Sequence, residues 1–265
     1  MKKLKNTYWP FARAAVQGEI LAYPLETFLY MFGMTIGMFV VYYIWKVVYT
    51  SNDILEGFTM LDMTGYIIMG FLALQTLDGG TVWIIAEDIR QGSIIMNLIK
   101  PIHYHLRILA ETLGMSLFFT VVLILPTSLI LTLLFNIGSV SHIPFFIISL
   151  FFGIIIGFLF DFIFGMLAFY IKNLWGIGFG KSALVRLMSG ALIPLVFFPE
   201  SVQKVFEFLP FKSMVFTPVM IFLGKYTPEE IVWAYANQLF WVGILILINY
   251  LVWQKAVSRL TVQGG

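Results

Sequence analysis

The residues most suggestive of chemistry are Gly176, Gly178, Gly180, Lys181 and Ser182, in the stretch Leu174-Trp-Gly-Ile-Gly-Phe-Gly-Lys-Ser-Ala183. Glycine, lysine and serine in that order end the phosphate-cradling loop of nucleotide hydrolases, where backbone amides converge on phosphate and the lysine neutralises it. That loop has four residues between its fixed glycines and follows a β-strand. Here Gly176 and Gly180 enclose Ile177 to Phe179, one residue short, between two apolar segments of membrane length. The stretch therefore reads as a tight turn with a basic flank, without a nucleotide site. His103 and His105 stand two apart, on different faces of a helix, and offer no converging metal pair. His142 is isolated, no H-E-x-x-H or G-x-S-x-G occurs, and there is no cysteine. Catalytic residues and metal ligands are thus expected to be absent.

Charge within apolar surroundings is the second clue. Asp78 in LQTLDGG lies roughly nine residues from the inner end of its segment, ~13 Å at the α-helical rise. Asp161 in FLFDFIFG lies about ten residues before Ile171, ~15 Å deep. A charge there costs at least ~2.5 kcal/mol on the mildest insertion scales, so neither should face lipid. Gln75, Asp78 and Asp161 are candidates to line a pathway or a dimer seam. Asn237, Gln238 and Asn249 read as interhelical hydrogen-bond groups. An alternative use of Asp78 and Asp161 is to carry protons or cations in a gradient-driven transporter or channel. A lipid-acting membrane enzyme would need a convergent acid/base or metal set, and the sequence offers none.

These residues must be held by membrane helices. The 265-residue chain is 60% hydrophobic and 11% charged, with a mean hydropathy of +0.92. Soluble domains carry about 25% charged residues, so the composition suits a bilayer. A net charge of +2 gives no case for nucleic acid. The first residues read as an amphipathic helix over 1–23, not as a cleaved signal peptide: Trp9, Phe11, Ala12, Ala15, Val16 and Ile20 recur at helical spacing, and Arg13, Gln17 and Glu19 interrupt any apolar run. Six spans follow, over 25–45, 63–86, 108–135 (kinked at Pro126), 143–171, from Ser182 to just before Phe198, and 231–253. Thr227-Pro228-Glu229-Glu230 supplies a start signal for the last. Between the last two spans, Pro210 and Pro218 cut residues 199–226 into pieces too short to cross, which suits re-entrant helices.

With six spans, twelve of the sixteen Lys and Arg residues fall on one side, including Lys172, Lys181 and Arg186; Lys46, Lys204, Lys212 and Lys225 fall on the other. By the positive-inside rule both termini are cytoplasmic and 199–226 is external. The second span then prolongs into the cytoplasm as Glu87, Asp88 and Arg90. Gln91-Gly92 ends it, and Ser93 caps a short helix with Ile94, Ile95, Leu98 and Ile99 on its apolar face.

In this order the elements are similar to the permease subunits of the type-2 ATP-binding-cassette transporter family. The resemblance rests on the amphipathic first helix, EDIRQGSIIMNLIKPIHY after the second span, GALIPLVFFPESVQKVFEFLPF with FTPVMIFLG before the last, and the basic tail AVSRLTVQGG. It implies a single all-α permease domain over 1–265 in the cell membrane, working as a dimer with the same or a similar permease. Two cytoplasmic ATPase subunits would hold the ATP and Mg, with no cofactor in this chain. It further implies an exporter, for which an amphipathic drug, lipid, peptide or glycolipid is a suitable cargo. Residues 87–100 would be the coupling segment on the ATPase, through Glu87, Asp88, Arg90, Gln91, Gly92, Ile94 and Ile95.

Overall fold

The computed structural model describes residues 2–258 except 52, 78, 172 and 173. Apart from one short hairpin the fold is helical. Helix α1 (Lys2–Ala15) runs through a π-helical stretch, Val16–Leu21, to α2 (Pro24–Val48). Strands β1 (Ile54–Leu55) and β2 (Phe58–Thr59) pair antiparallel across Glu56 and Gly57, both at positive φ as a two-residue hairpin requires. The second crossing is α3 (Met60–Leu77) with α4 (Thr81–Arg90), followed by the short α5 (Ser93–Ile99). The third is α6 (Tyr104–Phe119) and α7 (Leu125–Phe135), joined by π-helical Thr120–Ile124. Then come α8 (Ile143–Gly165), α9 (Trp175–Met188), α10 (Glu200–Glu207), α11 (Phe216–Phe222) and α12 (Pro228–Val257).

Among the described residues, five helical runs are long and apolar enough to cross a membrane: Pro24–Val48, Met60–Arg90, Tyr104–Phe135, Val140–Phe169 and Pro228–Val257. Apolar α8 occupies the centre, packed against α12, α4 and α11. α2 lies at the rim against α3, with Trp45 its one buried residue. The expected start of α12 is present: Thr227 Oγ1 accepts from the Glu230 amide at 3.3 Å, and Glu230 Oε2 accepts from the Thr227 amide at 2.7 Å.

Two expectations need correction. The glycine-rich stretch is not a turn, because Gly176, Gly178 and Gly180 all lie in α9. Gly178 is needed for contact: a Cβ there would come 2.8 Å from the Trp83 ring. The break occurs later, at Gly190 (φ +78°), and Pro194 and Pro199 prevent a helix from resuming at once. The helix expected as the fifth span thus begins at Trp175, not Ser182, and with 14 residues, ~21 Å, it is not among the runs long enough to cross. Lys181 and Arg186 move from a loop into this helix. Removing them from the count leaves ten basic residues against four, so the orientation argument keeps its sign. The second span is also discontinuous, broken between Leu77 and Thr81, where Gly80 takes φ +69°. Asp78 lies outside the described residues.

Irregular backbone at membrane depth requires internal hydrogen-bond partners. The carbonyl of Gly190 accepts from Tyr66 Oη at 2.7 Å, and that of Ser189 from the Phe216 amide at 3.0 Å. Beyond α9 the chain reaches Phe197, whose ring lies 4.7 Å from Trp45 near the hairpin. Helix α10 and the run Pro210–Phe222 are bent by 76°, and Lys225 returns to the hairpin, bonding Gly57 O and Asp62 at 2.8 Å each. Residues 199–226 therefore enter and leave at the hairpin end. Their deepest part seats against α8, where a Cβ on Gly153 would meet the Met214 carbonyl at 2.7 Å. Gln238 fixes this seat by donating to the carbonyls of Ser149 and Ser213 at 2.9 Å each. Asn237 accepts from Ser213 Oγ at 2.9 Å, and Asn249 ties α12 to the Leu159 carbonyl at 2.9 Å. These amides serve as interhelical bonds, as their positions predicted.

Tyr66→Phe removes only the hydroxyl and strands the Gly190 carbonyl. It should destabilise the protein by about 1–3 kcal/mol, read as a lower Tm in detergent. Tyr250→Phe, at a 59% exposed position, should leave Tm unchanged.

Candidate functional site

Two polar assemblies stand out. The first holds the elbow between the second and third crossings. Gln91 closes α4, and Gly92 at φ +70° turns the chain into α5, as a left-handed glycine after a helix does. Ser93 does not cap α5 with its side chain. Its Oγ donates instead to Asp88 Oδ1 at 2.7 Å, because Asp88 points inward. The same carboxylate accepts from Asn97 Nδ2 at 3.2 Å, Tyr104 Oη at 3.0 Å and an Arg107 Nη at 2.5 Å. One carboxylate thereby joins α4, α5 and α6. Glu111 stands 3.6 Å from the Arg107 Nε, and Lys100 Nζ donates to Asn97 Oδ1 at 2.8 Å.

The elbow presents a different face to its surroundings. Ile94 is buried and Ile95 half-buried, whereas Met96 and Ile99 are 64% and 72% exposed. Arg90 pairs with Glu87 at 2.5 Å, and Gln91 donates to the same carboxylate. With exposed Gly92 these make a rim beside the two apolar side chains. Of the expected contact residues, then, Glu87, Arg90, Gln91 and Gly92 are at the surface, while Asp88 and Ile94 hold the elbow from within. Met96 and Ile99 were missed as surface residues. The signal was available: on a seven-residue helix pinned through Ser93, Ile94 and Asn97, positions 96 and 99 fall on the opposite side.

Aromatic packing extends the elbow into the bundle. Tyr104 stacks on Trp253 of α12 at 5.4 Å, and His105 stacks on Phe162 of α8 at 4.4 Å. His105 is thus part of an aromatic cluster, not a surface histidine. Helix α1 lies along α6, where Gly114 admits the Ala12 backbone; a Cβ there would meet the Ala12 carbonyl at 2.5 Å. Tyr8 Oη accepts from the His103 amide at 3.2 Å.

The second assembly lies within the apolar layer. Lys181 of α9 bonds Asp161 of α8 at 2.8 Å, with both side chains more than nine-tenths buried. The pair opens on a cavity of about 380 Å³ between α2, α3, α8 and α9. Gln75 lines the same cavity, so two of the three intramembrane candidates converge there. Its walls include Leu29, Phe71, Leu74 and Phe160, and Met214 of the re-entrant segment reaches it from the hairpin side. Gly33 faces the space and Gly157 packs at its edge against Leu77, so these glycines shape the cavity as well as helix contacts. Among the described residues no group of three or more His, Cys, Asp or Glu could hold a metal.

A family model described as ABC-2 family transporter protein matches residues 32–264. The chain belongs to the ABC-2 transporter family. No curated protein matches it. Its helices are accordingly those of an ABC transporter membrane component, and ATPase partners are implied by the family.

In this ABC-2 component, Asp88→Ala removes four bonds and leaves the Arg107 guanidinium with only the more distant Glu111 carboxylate. Amide exchange across Ser93–Ile99 should rise, with a local loss of about 1.5–3 kcal/mol for charged hydrogen bonds. Glu87→Ala removes only exposed contacts to Arg90 and Gln91 and should leave that exchange unchanged.

Proposed function

We propose that this chain is the permease of an ATP-driven exporter, in which separate cytoplasmic ATPase subunits hold the ATP and Mg. They engage residues 87–100, and their movement passes through the Asp88-centred elbow into the bundle. Both termini lie in the cytoplasm and the re-entrant segment at the outer surface, in line with the ten-to-four distribution of basic residues. The single observation that carries this reading is the elbow itself. It has an internal carboxylate binding three helices, an external apolar pair at Met96 and Ile99, and a charged rim at Glu87 and Arg90.

A rigid knob of this kind suits force transmission. Ser93 and Asn97 of α5 are joined through Asp88 to Tyr104 and Arg107 at the start of α6, and Tyr104 stacks on Trp253, which gives a displacement of α5 a path to α12. α12 in turn holds Ser149 and Ser213 through Gln238, so the same helix reaches the re-entrant seat. ATP-driven closure of the ATPases would thus act at one end of α12 and release the seat near the other. A second permease copy or a similar chain completes the assembly, with α2, almost wholly unburied here, available as a seam. The gradient-driven alternative is less well supported, because Lys181 already occupies the Asp161 carboxylate.

The combined substitution Met96→Asp and Ile99→Asp tests the docking role. Co-purification of the cytoplasmic ATPase from native membranes should fall at least about tenfold, as loss of two central apolar anchors implies. The Tm of the permease itself should stay unchanged. Full ATPase recovery with the double variant would contradict the assignment of α5 as the contact.

A further inference from the structure

The cavity carries a charge pattern that transport as such does not require. Along α9, Lys181, Ser182, Val185 and Arg186 all line it, the stripe expected for one side of a helix. Lys181 is matched by Asp161. Among the described residues no carboxylate stands within ion-pair distance of Arg186, an exposed residue that lies about eleven residues beyond Trp175, or ~16 Å along α9. A guanidinium does not deprotonate in proteins, so Arg186 keeps its charge at the cavity wall. Among the described lining residues one aspartate stands against one lysine and one arginine, a positive balance. The remaining wall is mostly apolar, and about 380 Å³ falls within the range of small-molecule sites.

We propose that this cavity binds an amphipathic anion, its acidic head on Arg186 and its apolar body along Leu29, Leu74 and Phe160. The planar guanidinium suits a carboxylate, phosphate or sulfate through two parallel bonds. The Lys181 ammonium has three donors, of which the Asp161 bond uses one, so it can add a second contact to the same head. Gln75 and Ser182 supply further polar groups at the wall. A cation of the same size would meet Arg186 at close range and find its natural partner, Asp161, already taken. The ligand class rests on the transport reading and names the cargo chemistry this cavity favours.

The test uses the purified full chain in nanodiscs of zwitterionic lipid, with two probes of equal tail, decyl phosphate and decyltrimethylammonium. Decyl phosphate should bind and the ammonium probe should bind more weakly. Arg186→Gln should weaken decyl phosphate at least about tenfold, and Arg186→Lys should weaken it less than Arg186→Gln does, since charge is kept while the fork is lost. Equal decyl phosphate affinity in wild type and Arg186→Gln overturns the proposal. So does preference of the wild type for the ammonium probe, a result that does not depend on any variant folding. A second arm distinguishes the sources of the acidic head. Native mass spectrometry from nanodiscs containing phosphatidylglycerol should show lipid retained by wild type and lost in Arg186→Gln if a resident headgroup fills the site. Decyl phosphate binding without retained lipid points to a free amphiphile, and either outcome keeps the site. No ATPase is present in these measurements, so failure of the α5 contact and failure of the anion site are read separately.

Discussion

Backbone amides and carbonyls in a hydrocarbon layer must find partners inside the protein, and most of this structure follows from that requirement. Where a helix is continuous, its own ladder meets the demand. Where it is interrupted, a polar side chain stands at the gap. The break before Thr81 is flanked by Ser116, which donates to the Thr76 carbonyl at 2.6 Å, and by the Thr81–Thr112 hydroxyl pair at 2.8 Å. The end of α9 is met by Tyr66 and the start of α11. The re-entrant turn is met by Asn237 and Gln238. Several polar residues in the apolar layer are thus grouped at backbone interruptions, whereas Asn249, Gln75 and the Asp161–Lys181 pair stand on continuous helices.

The same helices link two ends with different tasks. At one end Asp88 joins three helices and an aromatic cluster couples them to α8 and α12. At the other, Thr59 and Asp62 cap α3 while Asp62 also holds Lys225, so the hairpin, α3 and the exit of the re-entrant segment form one unit. Burial, reinforced by nearby Glu230 and Glu207 charges, pushes the adjacent Tyr226 phenol well above its ordinary value and keeps it a neutral packing group. Each end is stiff, and the cavity lies between them with Met214 on its hairpin side.

Much of this was legible in the sequence. Five long crossings, the Thr227 capping box, the short helix after Gly92 and the same-side return of 199–226 follow from apolar length, cap residues and proline positions. Near Pro126, where a kink was expected, the helix goes π-helical over Thr120–Ile124, next to the position where proline lacks an amide donor. What escaped was three-dimensional. Glycines in GIGFG serve close packing against Trp83, and a sequence does not distinguish that use from a turn. Misplacing the turn put Lys181 and Arg186 outside the membrane, and with them the partner of Asp161. Asp88 resembles Glu87 and Arg90 in sequence, yet faces inward because four donors converge on it from two other helices.

The account depends most on the elbow and the re-entrant segment lying on opposite sides of the membrane, with the elbow inside. Since the chain has no cysteine, single cysteines at the exposed positions Met96 and Val205 report this directly in intact cells. A membrane-impermeant maleimide should label Val205→Cys at once and Met96→Cys only after permeabilisation. Labelling of Met96→Cys from outside, with Val205→Cys protected, would place the elbow beyond reach of any cytoplasmic ATPase and contradict the account.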